Sequence, residues 1–499
     1  MVTIKAALTA VVCLSVALRA TTASSQPDVV LVGATGNLAK KYLWQILFDL
    51  HRTGKVGRIF AGATKPKDKG TGLINGIVND RIKCSDEECE QARGHFRDTV
   101  VEYVQLRQNE QYGALAGLLD ATGNPNRLFF LSVSPDFYPQ IAKNINTYAR
   151  PKIADAWLRV IFEKPFGRDA ASAKSLADVL RAELAEEEVY RIDHYLGKQA
   201  VQSVGEFRRV NAKVLEPLWN REAIESVSVV MKEAETCEGR TGFYDRYGVI
   251  RDVLQNHLLE LVAFIAADLP ESSSPAAPID RLSLLKQVQE AKVKDTILGQ
   301  YEGYAAHVLE DSGGKTNSTS VPTAATVRLF IDNDRWRDVP FTLSAGKGLD
   351  ERAAYVRVRF RQEQGKYARD DADGPCDVLM HLQGGTLGTA TVVCKHLPAP
   401  KAEPGWDVEY GLNGGTIFKP ERKAPNPYFV LISGAIDGRR DLFCGTEELH
   451  ELWRVWTPLL AAIDEGAIAP VVLSVGQKWS AAEKMMDTTK APSVDHTEL

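Results

Sequence analysis

The sequence predicts an α/β domain built on a doubly wound parallel sheet, followed by a larger α+β domain whose sheet is mainly antiparallel. Three observations predict it. Over the first 200 residues or so, continuous apolar runs alternate with helical stripes. Beyond that point strand candidates crowd together without regular intervening helices. The chain has 499 residues, 44% of them apolar and 25% charged, which is enough for two or more domains with sizeable cores.

The first 25 residues stand apart. They carry one early cation at Lys5, an apolar run of about 13 residues from Ala6 to Leu18, and small residues from Ala23 to Ser25. That is the layout of a secretory signal peptide, and the run is too short to span a bilayer. The chain ends Asp495-His496-Thr497-Glu498-Leu499, similar to the terminal tetrapeptide that a receptor reads to return proteins to the endoplasmic reticulum. The expected location is the lumen of that compartment, with secretion as the alternative, and no span is expected in the mature chain.

Domain one is expected over 26–199. Val29 to Val32 is a run with no polar residue, as for a strand covered on both faces. Leu38, Tyr42, Leu43, Ile46, Leu47 and Leu50 then fall on one helical stripe, and Gly54 stands where a C-terminal cap belongs. A second strand follows at 58–62, and RLFFLSVSP (127–135) and WLRVIFEKPFG (157–167) supply two more. Domain two is expected over 200–499, with strands at 226–233, 325–333, 354–360, 376–383, 388–396 and 428–436 and helices at 251–269 and 446–464.

A formal net charge of −5 gives no basic face for nucleic acid, so any anionic ligand has to be caught by a local cluster. Six cysteines remain after Cys13 leaves with the leader. Cys84 and Cys89 bracket an acidic segment and are expected to be able to close a small disulfide. Cys237, Cys376, Cys394 and Cys444 are expected mostly as free buried thiols. No spacing of Cys and His suggests a metal site. Asn317 heads a glycosylation sequon in a polar loop.

Four stretches carry chemistry. Gly33-Ala34-Thr35-Gly36-Asn37 lies between a buried strand and a helix start, where backbone N–H groups accept a pyrophosphate, so the first domain reads as Rossmann-type. The second strand ends in Gly62-Ala63-Thr64-Lys65-Pro66-Lys67, with cations where an acid would hold a ribose diol, and this favours NADP over NAD. Lys164 stands at the C-terminal mouth of a buried strand, followed by Pro165, and that Lys–Pro bond is free to be cis. VYRIDHYLGKQA packs Arg191, Asp193, His194, Tyr195 and Lys198 into eight residues, and His257 lies on a helix that also carries Asp252. A carboxylate such as Asp193 that fixes an imidazole in one tautomer makes it a general base near neutral pH.

GATGNLAKK, RLFFLSVSP, EKPFGRD, RIDHYLGK, PLWN, GVIRDVLQNHLLE, RWRDVPFTL, GKGL and ELWRVWTPLL, in order from Asp28 to Gly476, resemble the glucose-6-phosphate dehydrogenase family. The leader and the terminal HTEL are similar to its endoplasmic-reticulum type, which carries a fused lactonase domain; no such domain is expected after Gly476. The resemblance implies oxidation of glucose 6-phosphate at C1 to the 6-phospho-lactone, with hydride passing to NADP, NAD remaining possible. It implies His257 and Asp193 as the catalytic dyad and His194, Tyr195 and Lys198 as the phosphate pocket. Glu233 and Asp252 would hold sugar hydroxyls, Lys164 would bridge sugar and nicotinamide, and Lys347 would be a further substrate lysine. Gly33, Thr35, Gly36, Asn37, Leu38, Lys65 and Lys164 would face the cofactor. The family's members are usually dimers or tetramers.

Asn37 stands where the family usually has Asp, Gln199 where Glu commonly follows the lysine, and Lys65 where an arginine is favoured. A lysine lacks the planar fork of arginine, so weaker discrimination between NADP and NAD is expected. Two other readings stay open at this stage: a broader hexose-6-phosphate or free-sugar dehydrogenase of the lumen, and a non-catalytic sugar-phosphate-binding protein.

Overall fold

The computed structural model describes residues 26–270, 278–316, 319–361, 376–383, 389–393, 406–410, 416–420 and 425–487. The expected leader, the Asn317 sequon, Cys13, Cys394 and the terminal HTEL lie outside the described residues. The chain divides into two compact units, Met1–Val133 with Gln140–Val160, and Ser134–Pro139 with Ile161–Leu499.

β1 (Asp28–Val32), β2 (Ile59–Ala63), β3 (Val101–Gln105), β4 (Arg127–Leu131), β5 (Leu158–Glu163) and β6 (Val189–Ile192) form one sheet in the order β3-β2-β1-β4-β5-β6. β1 runs parallel to β2 and β4, and β2 to β3, so the order reverses beside β1 as in a Rossmann-type sheet. Every residue of β1, β2 and β4 is buried, which is why these strands read as unbroken apolar runs rather than alternations. Two charged residues break the pattern and are satisfied: Asp28 accepts from Arg58 N (3.0 Å), Asn124 Nδ2 (2.6 Å) and Thr122 Oγ1 (2.5 Å), and Arg127 Nη1 donates to Ala149 O (2.9 Å). After β1 the chain turns at 33–36 and enters a helical run that includes Ala39–Leu43 and Trp44–Arg52. Its buried residues include Leu43, Ile46, Leu47 and Leu50, and Gly54, at φ +70°, follows its last turn as expected.

Among the described residues a second sheet contains ten strands: β7 (Ile224–Lys232), β8 (Thr296–Tyr301), β9 (Ala324–Leu329), β10 (Phe341–Gly346), β11 (Ala353–Phe360), β12 (Asp377–Gln383), β13 (Ala390–Val393), β14 (Trp406–Tyr410), β15 (Thr416–Pro420) and β16 (Val471–Leu473). Their order is β14-β15-β13-β12-β11-β7-β10-β9-β8-β16. All neighbours are antiparallel except β7 with β10 and β8 with β16. β11 alternates buried and half-buried residues, as a strand with one covered face does, whereas β9 and β10 are buried throughout.

Two expectations are corrected. Residues 428–436 are not a strand but lie within the helix Pro427–Asp437. Asn426 Oδ1 caps it by accepting from Tyr428 N at 2.9 Å, Pro427 sits in the first turn, and Gly438 closes it at φ +75°. Those boundary signals outweigh an apolar run that by periodicity alone fits strand and helix equally. Cys376, expected as a free thiol, is disulfide-bonded. Cys84 and Cys89 form a disulfide, whereas Cys237 and Cys444 are free and buried as expected. Among the described residues no helix is long and apolar enough to cross a membrane.

Candidate active site

VYRIDHYLGK folds as a strand end, a turn and the approach to a helix. Val189 to Ile192 form β6, buried along its length, and Arg191 is held there by Glu186 at 3.0 Å rather than joining the other polar residues. Asp193 then turns the chain: its Oδ1 accepts from Tyr195 N at 2.8 Å and its carbonyl from Leu196 N at 3.0 Å. Lys198 immediately precedes the helix Gln199–Val210. The buried apolar positions Val189, Ile192 and Leu196 anchor this turn, and from it the ionisable side chains are presented.

His257 comes from a different element. Ile250–Leu258 winds as a π-helix and passes directly into the α-helix Leu259–Ala266. Residues five apart in an α-helix point about 140° away from each other. The i→i+5 winding of the π-helix brings them more nearly one above the other. Asp252 and His257 consequently meet the same lysine: Lys164 Nζ donates to Asp252 O (2.7 Å) and to Asp252 Oδ1 (3.3 Å), and lies 3.1 Å from His257 Nε2. The Lys164–Pro165 bond is cis, as the sequence allowed.

On its other side His257 Nδ1 lies 2.5 Å from Asp193 Oδ1. The imidazole stacks on the Tyr195 ring at 4.3 Å and 19°, and meets the His194 ring edge-on at 4.7 Å. Lys198 Nζ sits 3.5 Å from the centre of the Tyr195 ring. Lys347 is ion-paired with Glu233 and lies 3.8 Å from Asp252 Oδ2. An unbroken run of contacts thus joins Lys198, Tyr195, His194, His257, Asp193, Lys164, Asp252, Lys347 and Glu233. All nine residues that sequence reasoning assigned to catalysis and substrate come together. Beside Asp252 and Lys347 opens a cavity of about 590 Å³, also lined by Cys237, Arg240, Phe243 and Tyr244.

Electrostatics divide the roles. Burial pushes the Asp193 carboxyl upward, but the adjacent His257 overcomes it and holds the group well below the usual carboxylate range. Burial carries His257 below its ordinary value despite Asp193, and the Lys164 charge adds to the effect. His194 is lowered by burial and by His257, so both rings are neutral at neutral pH. Asp252 resists burial because Lys164 and Lys347 keep it ionised. Burial brings Lys198 down to about 8.

Sequence reasoning missed Arg352, whose charge bears on both Tyr195 and Lys198. It lies five residues after Lys347, just ahead of β11, and only the sheet pairing brings it near the octet. It also missed Glu163, the neighbour of Lys164, which burial raises to about 7 against the pull of Tyr428 and Lys164.

In the first unit, Gly33 adopts φ +86°, and a side chain there would collide with the Ser132 carbonyl. At Gly36 a Cβ would lie 3.1 Å from Gly33 O. Trp44 Nε1 donates to Ala34 O at 3.0 Å and ties the helix to the turn. Thr35, Asn37 and Leu38 are half-buried or exposed around this bare backbone, which leaves room for a pyrophosphate to approach the helix start. Lys65 is exposed past β2, its carbonyl fixed by Tyr103 Oη at 2.6 Å, and its ammonium makes no ion pair among the described residues. The turn and the strand end fit a dinucleotide with an additional phosphate.

A doubly wound sheet with a bare glycine turn, together with a buried acid–imidazole–lysine cluster, is an arrangement that suits a dinucleotide-dependent oxidoreductase. Comparison with known proteins narrows the class. The model described as "Glucose-6-phosphate dehydrogenase, NAD binding domain" matches residues 30–203, and "Glucose-6-phosphate dehydrogenase, C-terminal domain" matches residues 206–490. The chain belongs to the glucose-6-phosphate dehydrogenase family. It is 38% identical over 475 residues to the GDH/6PGL endoplasmic bifunctional protein of Homo sapiens, covering 87% of this chain but only 59% of the length of that relative. It is 34% identical over 479 residues to glucose-6-phosphate 1-dehydrogenase 6, cytoplasmic, of Arabidopsis thaliana, covering 90% of this chain and 88% of the relative. A solved glucose-6-phosphate dehydrogenase in complex with its substrate glucose-6-phosphate is similar with a TM-score of 0.78 at 26% identity, over 94% of this chain and 99% of that one.

Proposed function

We propose that the protein is a glucose-6-phosphate 1-dehydrogenase that oxidises D-glucose 6-phosphate at C1 to 6-phospho-D-glucono-1,5-lactone with NADP. The observation that carries this reading is the run of contacts from Lys198 through the His257–Asp193 pair to Lys347. It puts a cation with neighbouring ring donors for a phosphoryl group, a base, and carboxylates for hydroxyls in one cluster.

The C1 hydroxyl takes the place of the Lys164 ammonium as donor to His257 Nε2, and its proton passes to that nitrogen. The O–H electrons form the C1=O bond as the C1–H pair departs as hydride. When bound, the oxidised nicotinamide supplies the acceptor for that hydride. Asp193 keeps a proton on Nδ1 and stabilises the imidazolium that forms. His194, Tyr195 and Lys198 hold the phosphoryl group, Glu233, Asp252 and Lys347 hold the sugar, and Lys164 spans sugar and nicotinamide. Gly33, Thr35, Gly36, Asn37 and Leu38 receive the pyrophosphate, and Lys65 the 2′-phosphate. The cofactor domain runs over 26–199 and the substrate domain over 200–499.

The location that fits best is the lumen of the endoplasmic reticulum. The apolar leader, the terminal HTEL, two disulfide-bonded cysteines at 84 and 89 and a third at 376 support it, since disulfides persist where the environment is oxidising. The assembly is a homodimer or homotetramer, which light scattering checks.

Initial rates of the purified protein test the function, with NADP and NAD each set against glucose 6-phosphate, other hexose 6-phosphates and free glucose. Reduction of NADP with glucose 6-phosphate well above that with glucose is the expected result. Equal rates with both sugars would remove the phosphate clamp, and no reduction with any hexose 6-phosphate would leave a binding protein.

A further inference from the structure

A further and much smaller cavity, of about 30 Å³, adjoins Asp193 and Lys164. Asp193, Gln255, Glu260, Cys444, Lys164 and Trp453 line it. Among the described residues four polar atoms in its walls have no hydrogen-bond partner, Asp193 Oδ2, Gln255 Nε2 and both carboxylate oxygens of Glu260, although Glu260 Oε2 is ion-paired with Arg281. Buried polar atoms are rarely left unsatisfied, and the desolvation cost of each is about 1–3 kcal/mol. A water needs about 10–15 Å³ and two to four polar partners, and this cavity offers room for about two.

Glu260 follows His257 by one helical turn and is 1% exposed. Its Oε2 lies 3.2 Å from Arg281 Nε, but Arg281 also binds Glu448, so one guanidinium serves two acids. The charges that act on Glu260 are Arg281 from the helix Arg281–Leu285, Glu448 from the helix Thr446–Asp464 and Asp193 after β6, while Cys444, Lys164 and Arg251 line the same cavity. Burial raises Glu260 to about 8; Arg281 opposes this, while Glu448 and Asp193 add to it. Cys444 is pushed well above its ordinary value by burial and the two glutamates, and stays a thiol.

We propose that Glu260 is a positioning residue for the dehydrogenation: through water held in this cavity and the Gln255 amide it is linked to Asp193 Oδ2, and its proton sets how strongly Asp193 supports His257 as a base. This rests on the His257–Asp193 reading above. With its proton, Glu260 donates toward Asp193 and draws off carboxylate charge. Without it, a second negative charge stands behind the pair and His257 becomes more basic.

The test follows kcat against pH with glucose 6-phosphate deuterated at C1, so that hydride transfer limits the rate, with both substrates saturating. The wild type is expected to give a second rise near pH 8, kcat at pH 9 exceeding that at pH 7 on the order of twofold. Glu260→Gln is expected to lose that rise and keep its KM, and Gln255→Leu to lose it as well. A wild-type profile flat above pH 7, or a Glu260→Gln profile that keeps the rise, overturns the proposal. Infrared difference spectra in a Glu163→Gln background, which removes the other raised buried carboxyl, give a readout that needs no turnover and no folded Glu260 variant: the carboxylic acid band that remains should titrate near pH 8, and adding Asp193→Asn should move that midpoint down, because a negative neighbour is gone. An unmoved midpoint overturns the link, whereas an inactive wild type with a coupled midpoint overturns only the dehydrogenase reading.

Discussion

Lys164 Nζ sits 3.1 Å from His257 Nε2, and an ammonium has only donors to offer. Nε2 therefore presents its lone pair, the ring proton lies on Nδ1 toward Asp193, and the imidazole is already in the tautomer of a base. The cation also disfavours the imidazolium. The acid limb of kcat/KM should accordingly fall below pH 6.5, the ordinary value for histidine. In Lys164→Met it should move to higher pH, because the charge that opposes protonation is removed. An acid limb that stayed in place would contradict this.

His257→Asn should lower kcat by about 10²–10⁴, the usual span for a lost general base, with KM for glucose 6-phosphate held within roughly threefold. Steady-state kinetics alongside a melting curve check both parts.

Asp193→Asn keeps the shape of the pair and reverses its polarity. The amide N–H₂ donates to Nδ1, which places the ring proton on Nε2, where it can neither accept from Lys164 nor take a substrate proton. A drop in kcat on the order of 10⁴ is expected, as for other acid–imidazole pairs with the wrong tautomer. Nitrogen NMR of the labelled ring reads the tautomer directly.

Lys198→Ala should raise KM for glucose 6-phosphate by about 10- to 100-fold, the cost of a lost charge-assisted hydrogen bond, while leaving the slow rate on free glucose unchanged. Burial brings this lysine down to about 8, so in the wild type KM should climb as pH rises past that value and the ammonium is lost. Lys198→Arg should flatten the climb.

Glu163 tests a stability effect. Its folded-state value is raised from 4.5 to about 7, so the folded protein keeps a proton that the unfolded chain gives up. The contribution is fully present below pH 4.5 and is lost as pH rises to about 7. Between pH 5 and pH 8 the wild type should lose roughly 3 kcal/mol more unfolding free energy than Glu163→Gln, measured by urea denaturation at each pH.

Much of the site was legible because its residues cluster in sequence. RIDHYLGK supplies Asp193, His194, Tyr195 and Lys198 from one turn, and Lys164 follows a buried strand whose end is marked by Pro165. What was not legible depends on distant partners. Arg281 and Glu448 meet across 167 residues, so no local pattern announces that Glu260 shares a cation. β10 was missed because Thr342, Ser344 and Gly346 dilute its apolar signal; its burial is made tolerable by pairing, Thr326 Oγ1 lying 2.8 Å from Ser344 Oγ on the next strand. The helix Pro427–Asp437 was mistaken for a strand because its apolar content outweighed the cap residues at its ends.

The wide winding of Ile250–Leu258 works as a vernier between two scales. Deleting a single residue such as Val253 would let the segment tighten to the ordinary pitch, and each residue of an α-helix advances the chain by about 100° around its axis. With the apolar residues from Leu259 onward keeping their seats, the residues ahead of the deletion, Asp252 among them, would be carried around the axis relative to His257. A chain shortened by that one amino acid should fold and lose the lysine that Asp252 and His257 share.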